Sequence, residues 1–178
     1  MKILILGGCK SGKSSIGQTL CCRLAKGPLI YWATMEPGDE EDEVRVARHI
    51  EDRAGMGFET VEKGRNILEV SVPAESTIMF DAVTALMANE MFGSGKVDET
   101  SGQRVRHDLE ELSRRCANIV CVTDEMWRDG IVYDETTELY RRELAMVCRG
   151  LAESFDVVAE VRCGIVKCLK GSLDEILD

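Results

Sequence analysis

An α/β fold with a mainly parallel sheet and helices on both faces is predicted by three observations. Short apolar, β-favouring runs alternate with stretches of helical periodicity along the chain. The 178 residues, 44% hydrophobic and 30% charged, suffice for one domain with a sizeable core and leave no room for a second, so 1–178 reads as one unit. Residues 7 to 14 read Gly-Gly-Cys-Lys-Ser-Gly-Lys-Ser, a full match to G-x-x-x-x-G-K-[ST], set directly between an apolar run and an amphipathic helical pattern. That setting narrows the class to a P-loop NTPase-like domain that binds a nucleotide.

The elements follow in order. Lys2-Ile-Leu-Ile-Leu6 is the first strand, and Ile16, Leu20 and Leu24 mark a helix over 14–25 that Lys26-Gly27-Pro28 stops. Leu29-Ile-Tyr-Trp-Ala33 is the second strand. A loop through Pro37 and Gly38 leads into a helix over 39–53, whose acidic opening suits the positive end of the helix dipole and which Gly55 and Gly57 end. A short strand at 58–62, a strand Thr77-Ile-Met-Phe-Asp81, helices at 83–92 and 102–115, a strand at 119–123, a helix at 135–153 and strands at 157–161 and 165–169 complete the pattern.

Within the loop, Gly7, Gly8 and Gly12 let the backbone turn tightly and approach a polyphosphate, which amide groups at a helix N-terminus then cradle. Lys13, expected to reach solvent, supplies charge to the β and γ phosphates of ATP or GTP, and Ser14 holds Mg²⁺ through its hydroxyl. Cys9, Lys10 and Ser11 complete the loop. Lys10 is either a second cation for the phosphates or a merely solvated side chain, and oxidation of Cys9 would block nucleotide binding. Asp81 ends an apolar strand, so its carboxylate is expected beside the loop, holding Mg²⁺ directly or through water; the alternative is a cap on the next helix.

A net charge of −10 disfavours nucleic acid as a partner and points to a small ligand. No run approaches the roughly 20 apolar residues of a membrane span, and the first is too short for a signal peptide, from which a cytoplasmic location is expected. The eight cysteines form no Cys-x-x-Cys and have no histidines at metal-ligand spacing, so, apart from Cys9 in the phosphate loop, they read as reduced core thiols.

Glu41, Arg45, His49 and Arg53 recur every fourth residue and so share one helical face, with Asp52 beside it. Flanking arginines disfavour the imidazolium and can bind a phosphate, which suits attack by a neutral His49 on a nucleotide α-phosphate. The bland alternative is a surface ion pair and a solvated histidine.

These residues together carry a resemblance. The ordered set 7–14, Tyr-Trp-Ala-Thr (31–34), Asp39-x-Glu41, Arg45-Val-x-x-His49-x-x-x-Arg53, Thr60-x-Glu62 and Asp81-x-x-Thr84-x₄-Asn89 resembles the bifunctional adenosylcobinamide kinase and adenosylcobinamide-phosphate guanylyltransferase family. The resemblance implies phosphorylation of the aminopropanol hydroxyl of a corrinoid, then transfer of GMP from GTP through a guanylyl-histidine, in assembly of the cobalamin nucleotide loop. It places the guanylylated residue at His49 and the GTP contacts at 7–14, Ala33, Thr34, Met35, Ile50, Glu51, Asp52, Arg53, Glu62 and Asp81. It also implies a homotrimer.

The second half departs from the family pattern. Asp124-Glu-Met-Trp127 stands where the pattern has Asn-Glu-Val-Gly, Gly130-Ile-Val-Tyr133 where it has Gly-Ile-Val-Pro, and Leu139-Tyr-Arg-Arg142 and Val147-Cys-Arg149 replace further pieces. Two other readings therefore remain beside the bifunctional enzyme: a kinase of another small metabolite, and a non-catalytic nucleotide-binding protein. The presence of both Ser14 and Asp81 counts against the last. No residue marks itself in the sequence as the base for the kinase step.

Overall fold

The computed structural model describes residues 1–36, 47, 50–51 and 53–177. Among them, seven strands form one sheet in the order β3-β2-β4-β5-β1-β6-β7. The strands are β1 (Lys2–Gly7), β2 (Leu29–Ala33), β3 (Glu59–Glu62), β4 (Thr77–Asp81), β5 (Asn118–Asp124), β6 (Val157–Arg162) and β7 (Ile165–Lys170). Six run parallel, and β7 closes the edge antiparallel to β6. The described helices are α1 (Lys13–Leu24), α2 (Val83–Phe92), α3 (Ser101–Arg115), α4 (Glu135–Ser154) and the single turn α5 (Asp174–Leu177). The fold is the P-loop NTPase-like α/β class that the sequence predicts. Most of the helix expected over 39–53 lies outside the described residues.

The continuous apolar character of the strands follows from burial on both sides. In β1, Leu4 and Leu6 face a core with Trp32, Phe80, Cys121 and the inner faces of α2, α3 and α4. Ile3 and Ile5 face the opposite core with Tyr31, Met79, Val122, and Leu20 and Cys21 of α1. Helix α1 lies close to this second face because Gly17 has no Cβ; one built there would stand 2.7 Å from Met79 Cε. The thiols divide differently from the expected core set. Cys21, Cys121 and Cys148 are buried, Cys116 and Cys168 are half-buried, and Cys9, Cys22 and Cys163 are exposed.

Candidate nucleotide site

The loop after β1 has the geometry that its glycines allow. Gly12 takes φ 97° at the N-cap of α1, a left-handed conformation that L side chains resist, and Lys10 also lies at positive φ (56°). A Cβ on Gly8 would meet nothing within 4 Å, so the backbone there is open to a ligand. Helix α1 has no side-chain cap among the described residues. Its first amides therefore remain available to an anion. Ser11 Oγ is buried without a hydrogen-bond partner among the described residues. From behind, the β6–β7 turn supports the loop through the Gly164 amide, which donates to Ser11 O at 2.9 Å. An open backbone, uncapped amides and an orphaned hydroxyl fit a polyphosphate.

Lys13 differs from the expected solvent-reaching side chain. It is only 7% exposed. Its Nζ donates to Gly8 O at 2.6 Å and to Asp124 Oδ1 at 2.8 Å, so the ammonium lies folded back across the loop. Desolvating a lysine requires such partners, and the carboxylate at the end of β5 supplies the charge.

A cavity of about 480 Å³ opens at the carboxyl ends of the parallel strands; no residue of 7–14 lines it, but Asp124, the partner of Lys13, does. Ala33 from β2, Glu62 from β3, Asp81 from β4 and Asp124 from β5 line one side, with Met35 and Arg53. Ala88, Phe92, Met126 and Tyr140 form an apolar part of the wall. Ligands of open α/β sheets bind in this position because the loops that can reach them all leave the same edge. The Arg53 guanidinium stacks over Tyr31 at 4.1 Å from the ring centroid and donates to Thr60 Oγ1 at 3.0 Å. The Tyr31 hydroxyl donates to Asp81 Oδ2 at 2.6 Å. Burial, and secondarily the Asp124 charge, push the Tyr140 phenol up. It stays neutral, donating to Thr84 O at 2.8 Å.

Five residues expected at the nucleotide, Ala33, Met35, Arg53, Glu62 and Asp81, are thus brought onto one wall. Arg53 is 7% exposed, unlike the open helix face expected for it. Thr34 is buried and acts as a clamp: its hydroxyl donates to Ala82 O and accepts from the Ala82 amide, both at 2.8 Å. Asn89 extends that clamp by donating to Thr34 O at 2.7 Å and Gly64 O at 3.2 Å. Ile50 and Glu51 are exposed and do not line the cavity. His49, Asp52, Arg45 and Glu41 lie outside the described residues.

The register also refines the place of Asp81. It pairs with Val122 of β5, and β5 separates β4 from the loop strand. The acid beside the loop is Asp124, which is in register with Gly7. Sequence reasoning passed over it, although the signal that selected Asp81, a carboxylate ending a buried apolar strand, is equally present in Ile119-Val-Cys-Val-Thr-Asp124. Phe92, Met126 and Tyr140 were also missed, because apolar residues that line a cavity have the same spacing as those that fill a core.

No helix among the described residues is long and apolar enough to cross a membrane. Residues 3–169 match the family described as cobinamide kinase / cobinamide phosphate guanyltransferase. Among curated proteins, the chain is 28% identical to the bifunctional adenosylcobalamin biosynthesis protein CobU of Salmonella typhimurium, over 93% of this chain and 97% of the relative. It is 26% identical to the protein CobP of the same description from Pseudomonas aeruginosa, over 96% and 98%. Among solved structures, a Pyrococcus horikoshii protein superposes with TM-score 0.53 at 8% identity, over 98% of this chain and 88% of the other. A type III secretion ATPase of pathogenic bacteria does so with TM-score 0.50 at 13% identity, over 98% and 57%. These two likenesses concern the fold alone.

Proposed function

The chain belongs to the cobinamide kinase / cobinamide phosphate guanyltransferase family, and on that footing we propose that it phosphorylates the alcohol of adenosylcobinamide and then carries GMP from GTP to the product through His49. The observation that supports this most directly is the roughly 480 Å³ cavity lined by Ala33, Met35, Arg53, Glu62 and Asp81 and by Asp124, the ion-pair partner of Lys13. A nucleotide whose phosphates rest on residues 7–14 would extend along that wall.

In the kinase step the loop amides and Lys13 bind the β and γ phosphates, and on this reading Lys13 leaves Asp124 to do so. Positioning and charge neutralisation supply most of the rate enhancement in such a transfer. Ser14 and Asp81 are the residues that would hold Mg²⁺, whose chemistry is to neutralise phosphate charge. The Tyr31 hydroxyl, which donates to Asp81 Oδ2 at 2.6 Å, leaves the other carboxylate oxygen for such a role. An ion bound by few protein ligands, completed by phosphates and water, is the usual magnesium arrangement. In the transfer step His49 attacks the α phosphorus of GTP, forming an N–P bond and releasing pyrophosphate. The phosphate of the corrinoid then displaces the histidine. ATP and GTP both suit the phosphate cradle in the first step.

The test is incubation with α-labelled GTP and Mg²⁺, denaturation and peptide mapping. The expected label sits on His49, is stable in base and lost in acid, and is absent from His49→Ala. Phosphorylation of adenosylcobinamide continues in that variant, since attack on the γ phosphate needs no protein nucleophile. A wild-type protein that phosphorylates a small alcohol yet never carries the label is a metabolite kinase of another kind. The apolar wall at Phe92, Met126 and Tyr140, drawn partly from the divergent second half, is then where its acceptor is chosen.

A further inference from the structure

We propose that Asp124 is the catalytic residue that accepts the proton of the acceptor hydroxyl in the kinase step, and that nucleotide binding releases it for this by drawing Lys13 away. The inference rests on the proposed kinase activity and names a group particular to this chain, since the family pattern has at this position an amide, which cannot accept the proton.

Among the described residues three carboxylates line the cavity, and their strands rank them. Neighbouring strands lie about 4.8 Å apart. Asp124 on β5 is one strand from the phosphate loop, Asp81 on β4 is two strands away and Glu62 on β3 is four. Asp81 is moreover the residue proposed above for Mg²⁺. Glu125, next in sequence, pairs with Arg128 at 3.5 Å and does not line the cavity. Among the described carboxylates, that leaves Asp124 as the one set between the phosphate cradle and the space for an acceptor.

Its position is fixed independently of its side-chain partner. The Asp124 amide donates to Thr84 Oγ1 at 2.9 Å, and Thr84 Oγ1 lies 3.2 Å from Thr123 Oγ1. The side chain is 40% exposed, against 8% for Lys13. Asp124 lines the cavity and Lys13 does not. Lys13 Nζ donates to Asp124 Oδ1 at 2.8 Å. Triphosphate offers the ammonium stronger partners, and the freed oxygen then faces the acceptor. The step balances without another reactant. The alcohol oxygen bonds to the γ phosphorus, the bond from γ phosphorus to the β-bridging oxygen breaks, the nucleoside diphosphate leaves, and the hydroxyl proton passes to Asp124 and on to water.

The experiment compares wild type, Asp124→Asn and Asp124→Glu for nucleotide affinity, by a fluorescent GTP analogue with Mg²⁺, and for kcat and KM with adenosylcobinamide. Asparagine keeps a carbonyl for Lys13 and loses proton acceptance. The expected result is a kcat at least tenfold lower in Asp124→Asn, KM within a few-fold of wild type, nucleotide bound as tightly as or more tightly than by wild type, and part of kcat restored in Asp124→Glu. An unchanged kcat in Asp124→Asn overturns the proposal and leaves Asp124 as a tether for Lys13. A kcat loss accompanied by weakened Mg-nucleotide binding overturns it too, assigning Asp124 to the metal. Nucleotide hydrolysis, with water as acceptor and no corrinoid, is measured on the same proteins. A wild type that hydrolyses nucleotide but leaves adenosylcobinamide untouched refutes the proposed substrate, while the hydrolysis ratio of Asp124→Asn to wild type still decides the role of Asp124.

Discussion

Lys13 is a loop residue by sequence and a nearly buried one by structure, and the two facts lead to different expectations for its removal. Its carboxylate partner is 40% exposed, so in Lys13→Ala the orphaned Asp124 can be solvated. The lost pair is then worth about 1 kcal/mol or less. The lost contact with transferring phosphate is larger, because removing one preorganised donor from a charge-stabilising site costs about 10²–10³ in rate. Lys13→Ala is therefore expected to unfold at nearly the wild-type urea concentration and to lose at least about a hundredfold in phosphoryl transfer. A large drop in the urea midpoint would mean that Lys13 is chiefly a structural ion-pair partner. The cysteines give a second prediction. Burial pushes the Cys148 thiol up to about 12 and the Cys116 thiol up to about 11. A thiol reagent at pH 8 should modify exposed Cys9, Cys22 and Cys163 in the native protein and leave buried Cys21, Cys121 and Cys148 until denaturant is added. Bound GTP should slow modification at Cys9, inside the loop, and leave Cys22 unaffected. Equal rates at Cys9 with and without GTP would place the phosphates elsewhere.

At the scale of elements, α2 and α3 are joined by a small charge network before α3 begins. The Asp98 carboxylate accepts from the Thr100 hydroxyl at 2.7 Å and its amide at 2.9 Å, and from Arg104 Nη1 at 2.8 Å. Arg104 also reaches Glu90 of α2 at 3.0 Å. The Thr100 hydroxyl, first, and then Arg104 hold the Asp98 carboxyl down at about 2. A depressed folded-state value contributes stability above the usual carboxylate range that is lost as pH falls toward the folded-state value. The wild-type urea midpoint should thus fall between about pH 4 and pH 2 more steeply than that of Asp98→Asn, and parallel curves would remove Asp98 from the acid response. None of this network was legible in the sequence. Periodicity located α3 to within a residue because a buried stripe leaves a repeating signal, as do Val105, Leu109 and Leu112. A loop carboxylate that serves a helix start and a neighbouring helix leaves none. The same contrast explains the site. The loop at 7–14 and the acid ending β4 are local patterns, whereas the pairing of Lys13 with Asp124 spans 111 residues and depends on β5 lying beside β1, a strand order that apolar alternation does not encode.

For the molecule as a whole, that strand order gathers the chemistry at one edge of the sheet. Four strands end on the cavity, at Ala33, Glu62, Asp81 and Asp124, while the phosphate loop leaves the fifth, β1, which pairs with β5 on one side and β6 on the other. A nucleotide seated there would touch loops that are far apart in the chain and would bind the folded state alone. Linkage then fixes the size of the response. Ligand at a hundred times its dissociation constant adds about 2.7 kcal/mol, which for a protein of this length corresponds to a rise in Tm of about 5–10 °C. Mg-GTP is expected to produce that rise in wild type, and Lys13→Ala at the same ligand concentration should show much less of it. The decisive comparison is with guanosine. If the phosphate cradle anchors the ligand, the nucleoside at equal concentration shifts Tm little. A shift with guanosine equal to that with the triphosphate would mean that binding is carried by the base and ribose along the cavity wall, and that residues 7–14 contribute only to the reaction.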